Sequence, residues 1–309
     1  YQKGGLFGAP HYIWDNMANY SFLKEAKVYI VYGATKLQLD ISTVSFSQTF
    51  TEEPYPVKTI HTPNNLFEAS VIKKANPANF ELNIPIYIEN GIRIIFDRLI
   101  DIASFDLYVE TPQDTFKLQN CIITNGTFKI ERSRPLSLTV AGDASKLLTG
   151  QSVPAGMVLR TSGTTRTYNL SSDLSILLNG EISSHLQNIS VELKNDINWI
   201  PYQTVQQGIG NNIAYPTQHT VENRTLSGNI TRYLNDDTES SAQSTGLNQS
   251  LRIKAGTEIS GTFYGFDINM TSCSFTNRVE TGDVFRQSYD WRMTQNTSSL
   301  TGILTYITQ

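Results

Sequence analysis

The chain has little cysteine, little charge and no long apolar run. Of its 309 residues only Cys121 and Cys273 are cysteines, too few for a disulfide framework and too far apart to make a metal knuckle by themselves. Charged residues are 17% of the sequence and the net charge is -4. No basic surface for duplex nucleic acid or anionic membrane is therefore advertised. A membrane-spanning helix needs about 20 predominantly apolar residues. The richest stretch, Ile84 to Ile102, is interrupted by Glu89, Arg93, Asp97, Arg98 and Asp101, so no membrane partner is expected. The first ten residues lack the apolar core of a signal peptide, and because the chain opens on Tyr1 rather than Met, N-terminal processing stays open.

Catalytic signatures are missing as well. There is no Gly-x-Ser-x-Gly elbow, no P-loop and no His-Glu-x-x-His. The four histidines, His11, His61, His185 and His219, are isolated from one another and from any ligand spacing. Cys121 sits between Asn120 and Ile122, which supply neither base nor positive charge, and reads as a small buried hydrophobe. Paired acids occur at Glu52-Glu53 and Asp236-Asp237, but in polar, turn-like contexts that favour solvation over catalysis. Nine Asn-x-Ser/Thr matches, among them Asn19, Asn125, Asn188 and Asn296, are cheap in so Asn-, Ser- and Thr-rich a sequence. No catalytic, cofactor or metal residue is assigned, and no enzyme or cofactor is expected.

What is abundant is alternation. In Phe80 to Ile88 the residues Phe80, Leu82, Ile84, Ile86 and Ile88 share one face, as strand geometry requires when one face is buried. Pro85 has no amide proton, which predicts an edge strand or a bulge there. The same period runs through 37–41, 105–109, 136–140, 189–193 and 266–270. One segment departs from it. Ile92, Ile95, Phe96, Leu99, Ile102 and Ala103 recur at three- and four-residue steps, predicting one amphipathic helix from Gly91 to Ser104. Residues 148–156 lack strand periodicity near the midpoint and read as a linker, and 235–246 read as a polar loop.

The two halves also repeat each other in order. Val28, Gly33, Thr35 and Lys36 match Val158, Gly163, Thr165 and Arg166. Ser45, Pro56, Thr59 and Ile60 match Ser190, Pro201, Thr204 and Val205. Cys121-Ile-Ile-Thr-Asn125 and Cys273-Ser-Phe-Thr-Asn277 share Cys-x-x-Thr-Asn, so both cysteines hold one equivalent position and are expected to stay unpaired.

A duplicated domain of strands with one helix, ending in a strand-turn-strand such as Phe116 to Ile130, resembles the tail tube proteins of tailed bacteriophages. The resemblance implies a mainly β fold: two tandem tail-tube-like β-sandwich or barrel domains, the first with one flanking amphipathic helix. The expected spans are an N-terminal arm at 1–26, whose aromatics need a neighbouring surface, and domains at 27–150 and 151–309. It implies a structural virion protein of the tail that assembles with itself into trimeric rings of pseudo-six-fold symmetry, stacked around a neutral to acidic channel. Genome DNA would pass through without specific binding, and tape measure, tail terminator and baseplate proteins would be the other partners. Two other readings stay open from the residues alone: a capsid or decoration subunit, or a secreted carbohydrate-binding β-sandwich stacking Trp199, Tyr202 and Tyr215 on sugars.

Overall fold

The computed structural model describes residues 23–55, 69–89, 92–131, 134–158, 167–170, 172–178, 181–182, 185–200, 213–234 and 249–308. The alternation written into the sequence becomes strands. The first half contains β1 (Lys27–Tyr32), β2 (Thr35–Leu39), β3 (Thr43–Ser47), β4 (Phe50–Tyr55), β5 (Ala69–Ala75) and β6 (Ala78–Pro85). After them come α1 (Arg93–Asp101), β7 (Phe105–Glu110), β8 (Thr115–Glu131), β9 (Ser137–Ala144) and β10 (Lys146–Leu148). The second half contains β11 (Met157–Val158), β12 (Asp173–Leu178), β13 (Glu181–Ile182), β14 (Leu186–Ile200) and β15 (Gln218–Tyr233). It ends with β16 (Gln249–Ile259), β17 (Thr262–Glu280), β18 (Arg286–Met293) and β19 (Leu304–Ile307). No helix among the described residues is long and apolar enough to cross a membrane.

Strand pairing shows the same unit twice. In the first copy β2 pairs β1, β1 pairs β7, β7 pairs β8, and β8 also takes β10 and β9. From β9 the order continues through β6 to β3. In the second copy β13, β12, β16 and β17 follow one another, β17 takes β19 and β18, and β18 leads through β15 to β14. All of these pairings are antiparallel, and the position of the cysteines is common to both copies. Cys121 lies opposite Phe105 just before a bulge that brings Leu107 opposite Leu118. Cys273 lies opposite Gln249 before the same bulge, which brings Leu251 opposite Met270.

A second ladder fixes the rest of the alignment. Phe46 faces Phe80, Phe80 faces Gly142, and Gly142 faces Ile123. Val191 faces Gly228, Gly228 faces Trp291, and Trp291 faces Phe275. The aromatic and the glycine have changed places across equivalent strands. A Cβ on Gly142 would come 2.5 Å from the Phe80 ring, and one on Gly228 would come 2.6 Å from the Trp291 ring. In each copy a glycine makes room for the ring on the neighbouring central strand, Phe80 over Gly142 and Trp291 over Gly228.

Several expectations need correction. The first matched block is misplaced: Val28 faces Val109, and the residue in that position of the second copy is Ile176, which faces Ile253. The counterpart of the β1–β2 hairpin is thus β12–β13. Val158 instead pairs in parallel with Lys36, and Gly163, Thr165 and Arg166 lie outside the described residues. Ser45 and Ser190 do correspond, facing Glu81 and Asn229 on equivalent strands. In the cysteine motif the match holds for three residues and then slips by one, because β8 carries a bulge at Thr124 that β17 lacks. Phe116 to Ile130 is a single strand rather than a strand-turn-strand. Asn125-Gly126 reads as a turn, but Gly126 serves packing: a Cβ there would lie 2.3 Å from Leu99 of α1. Pro85 ends a central strand, flanked by β3 and β9, and its missing donor falls beyond the last residue that β3 pairs, Asn83.

The helix forms where its stripe predicts, with Ile95, Phe96 and Leu99 buried and a left-handed residue, Ile102 at φ 53°, ending it. It is held by the other copy. Asn195 of β14 donates its amide to Leu99 O and Ile123 O, both at 3.1 Å, and Arg224 of β15 reaches Ile100 O at 2.6 Å. Carbonyls at a helix C-terminus lack partners within the helix, and these donors supply them. The copies share one core: Phe128 meets Phe266 at 4.8 Å and Phe96 meets Tyr306 at 5.2 Å. Any counterpart of α1 in the second copy, like the 235–246 loop, lies outside the described residues.

Candidate functional site

The two copies are joined by a strand pair that neither contains alone. Residues 125–131 of β8 run antiparallel to residues 188–194 of β14, with Phe128 opposite Val191 and Lys129 opposite Ser190. This seam fuses the halves into one continuous sheet, ordered β3-β6-β9-β8-β14-β15-β18-β17. Apart from the buried Arg232–Gln287 pair, its inner face is apolar, as alternation requires: Leu82, Val140, Phe128, Val191 and Ile230 are all at most 1% exposed.

The opposite face is a polar wall. It is built from Ser45, Ser47, Asn79, Thr139, Thr127, Ser190, Ser227, Asn229 and Thr231, with charges interspersed. The acids Glu81, Asp143, Glu131, Glu192, Glu280 and Asp290 nearly balance Lys129, Lys194, Arg278, Arg286 and Arg292. Asn229 is a hub: its amide donates to Ser288 and Asp290, each at 2.8 Å, and its carbonyl accepts from Thr231 at 2.9 Å. Across the seam, Asn125 donates to Glu192 at 2.8 Å. The Asn229 amide, aided by the paired Arg278 guanidinium, holds the Asp290 carboxyl below its ordinary value. Burial pushes the Asp143 carboxyl up. With six acids interleaved among five cations, the described part of this face carries no net positive charge to attract a polyanion.

The residues singled out in the sequence do not converge. His219 packs on Trp199 at 5.2 Å, His185 takes a left-handed backbone at φ 57°, and His11 and His61 lie outside the described residues. Among the described residues no group of three potential metal ligands occurs. Cys121 and Cys273 are free, buried thiols. The Cys121 thiol donates to Leu118 O at 3.3 Å; burial raises its pKa well above the usual thiol value and pushes Cys273 up to about 12. Neither forms a thiolate near neutral pH. Glu52 accepts from Ser70, Glu53 is in β4, and Asp236-Asp237 lies outside the described residues. Of the three aromatics proposed to stack on sugars, Trp199 is occupied by His219, Tyr215 lies under the Lys146 ammonium at 4.3 Å, and Tyr202 lies outside the described residues.

The seam and the wall escaped sequence reasoning, although the wall's signal was present. The polar members of each alternating strand are the wall.

A protein-family model described as the Bacteriophage Baseplate Tube Protein Family matches residues 18–99 and 89–307. No curated protein matches the chain.

Proposed function

The chain belongs to the bacteriophage baseplate tube protein family, and from that premise we propose that it closes, three copies at a time, into a ring of pseudo-six-fold symmetry whose wall is the polar sheet face. It is a structural protein of the phage tail or baseplate. We place its two units at 27–150 and 151–309, preceded by an arm at 1–26 that neighbouring subunits order; most of that arm lies outside the described residues.

The observation that carries the reading is the β8–β14 seam, where one copy already continues the sheet of the other. A sheet this long must either leave edges open to aggregation or close on itself. Three chains would make a barrel of roughly 24 strands, at least about 37 Å across at ~4.8 Å per strand, wide enough for a nucleic-acid duplex. The near balance of charge on the wall suits passage without retention, because each protein cation that neutralises a phosphate frees a counterion from the nucleic acid and so adds affinity. In this reading the protein performs no catalysis. Rings stack into a tube, and tape measure, terminator and other baseplate proteins are its partners.

Cryo-electron microscopy of assembled particles tests it. Three chains per ring, with the two copies alternating around the axis and the polar face inward, is the expected result. Six chains per ring, or the polar face turned outward, overturns it.

A further inference from the structure

The first copy has a neighbour on its β8 edge, and among the described residues the second copy has none on the equivalent edge. In the first copy Phe128, opposite Leu138, is covered by Val191 of β14 and is 1% exposed. Its counterpart is Val279, opposite Gln287 in the same place on β17, and it is 56% exposed. At the far end of the sheet, β3 pairs β6 on one side only among the described residues, and Phe46 there holds the position that Val191 holds in the second copy.

A second contact tells the same story. In the first copy Ile86 N donates to Leu136 O, and residues of the second copy cover the pair: Leu136 N donates to Asn169 O and Asn169 N to Ile86 O. In the second copy Leu234 N donates to Phe285 O in the same pattern, with both side chains on the surface at 39% and 52% exposed. Both features of the first copy that depend on a following copy are open in the second among the described residues.

We infer that chains join head to tail by pairing the C-terminal end of β17 with β3 of the next chain, in the register of the internal seam, with Phe46 opposite Val279 and Ser45 opposite Glu280. The occupant of the open edge is therefore a second copy of this chain. The inference rests on the ring reading and specifies its closure. Phe46 and Val279 would fill the apolar side as Val191 and Phe128 do. Ser45 and Glu280 would meet on the polar wall as Ser190 and Lys129 do. The contact is heterologous, so it generates a ring wherever the rotation closes.

Paired cysteines read the register, because directly opposed strand residues have Cα atoms about 4.5–5.5 Å apart, inside disulfide range. The full-length Ser45→Cys/Glu280→Cys variant should, on mild oxidation of ring-containing fractions, convert the monomer band into covalent trimers. The Lys129→Cys/Ser190→Cys variant, which builds the same pair inside one chain, calibrates the yield, and buried Cys121 and Cys273 stay silent. Rings that cross-link instead through Ser45→Cys/Arg278→Cys or Ser45→Cys/Gly282→Cys overturn the register. Rings that cross-link through none of these overturn the seam and leave the ring reading standing. A wild-type protein that forms no ring by electron microscopy overturns both.

Discussion

Leu136 and Phe285 stand at the same point of two equivalent strand ends, yet one is 1% exposed and the other 52%. The strands around them pair alike, and the backbone hydrogen bond from Ile86 to Leu136 is repeated from Leu234 to Phe285 at the same 2.9 Å. What differs is the neighbour. The first copy is capped by Tyr168 and Asn169 of the second, and Tyr168 stacks on Tyr87 at 4.8 Å. On the proposed ring, a duplicated unit thus shows its interface twice, once filled and once open among the described residues, and the filled version describes what the open one would receive.

The largest expected effect separates the two positions. Leu136→Ala should lower monomer stability by about 3 kcal/mol, the usual scale for emptying a buried leucine site. Phe285→Ala should leave the unfolding midpoint of the monomer nearly unchanged and weaken assembly. Denaturant unfolding alongside sedimentation measures both. Equal losses of stability in the two variants would show that the copies differ by less than their exposures imply. The arm enters here too: the spacing that relates Ile86 to Leu234 also relates Tyr20 to Tyr168 in sequence. Deleting residues 1–22 is accordingly expected to abolish ring formation while leaving the monomer folded.

Much of this architecture is legible in the sequence, for physical reasons that also mark where legibility ends. One-face burial imposes period two, so 80–88 and 189–193 announce themselves, and the helix stripe of Ile95, Phe96 and Leu99 is equally open. The cysteine match is readable because both thiols fill the same buried corner beside the same bulge. Bulges themselves leave no such trace. Thr124 adds one residue to β8 without altering composition, and the Asn-Gly that follows imitates a turn while serving the contact with Leu99. Val28 matches Val158 in sequence but Ile176 in the fold, because short hairpins of Val, Gly and Thr resemble one another and only the partner strand tells them apart. The seam depends on which distant edges meet, and that information is in no single segment.

A smaller effect sharpens the contrast inside the core. Where the first copy has Ile84 and Leu138, the second has Arg232 and Gln287, with the guanidinium 1% exposed and donating to the Gln287 carbonyl at 3.1 and 3.3 Å. Gln287→Leu removes that acceptor and should cost about 2 kcal/mol, the scale of hydrogen bonds to charged groups. Arg232→Ile/Gln287→Leu imports the residues of the first copy and should recover most of the loss, because replacing both partners removes the buried charge along with its need. Thermal unfolding of the single and double variants decides it. A double variant no more stable than the single one would mean that the guanidinium is held by the rest of its surroundings.

The smallest effect concerns acid, and here the two walls should answer with opposite sign. Asp290 on β18 has its folded pKa lowered, first by the Asn229 amide and then by Arg278. Its stabilisation is fully present above the unfolded carboxyl pKa of about 3.9 and disappears as pH falls through the lower folded value. Asp143 on β9, the equivalent strand, has its folded pKa raised by burial. It weighs against the native state at neutral pH, and that burden lifts as pH falls through the raised pKa toward the unfolded one. Asp143→Asn should therefore stabilise the protein at pH 7 and flatten a gain seen between pH 7 and 4. Asp290→Asn should destabilise it at pH 7 and flatten a loss seen below pH 4. Asp290 is substantially solvated, with its side chain 44% exposed, so its share should not exceed about 1 kcal/mol. Urea midpoints of the two variants and the parent, taken from pH 3 to pH 7, give the test. Parallel profiles for the two variants would show that solvent, rather than the different neighbours in each copy, sets both carboxyl groups.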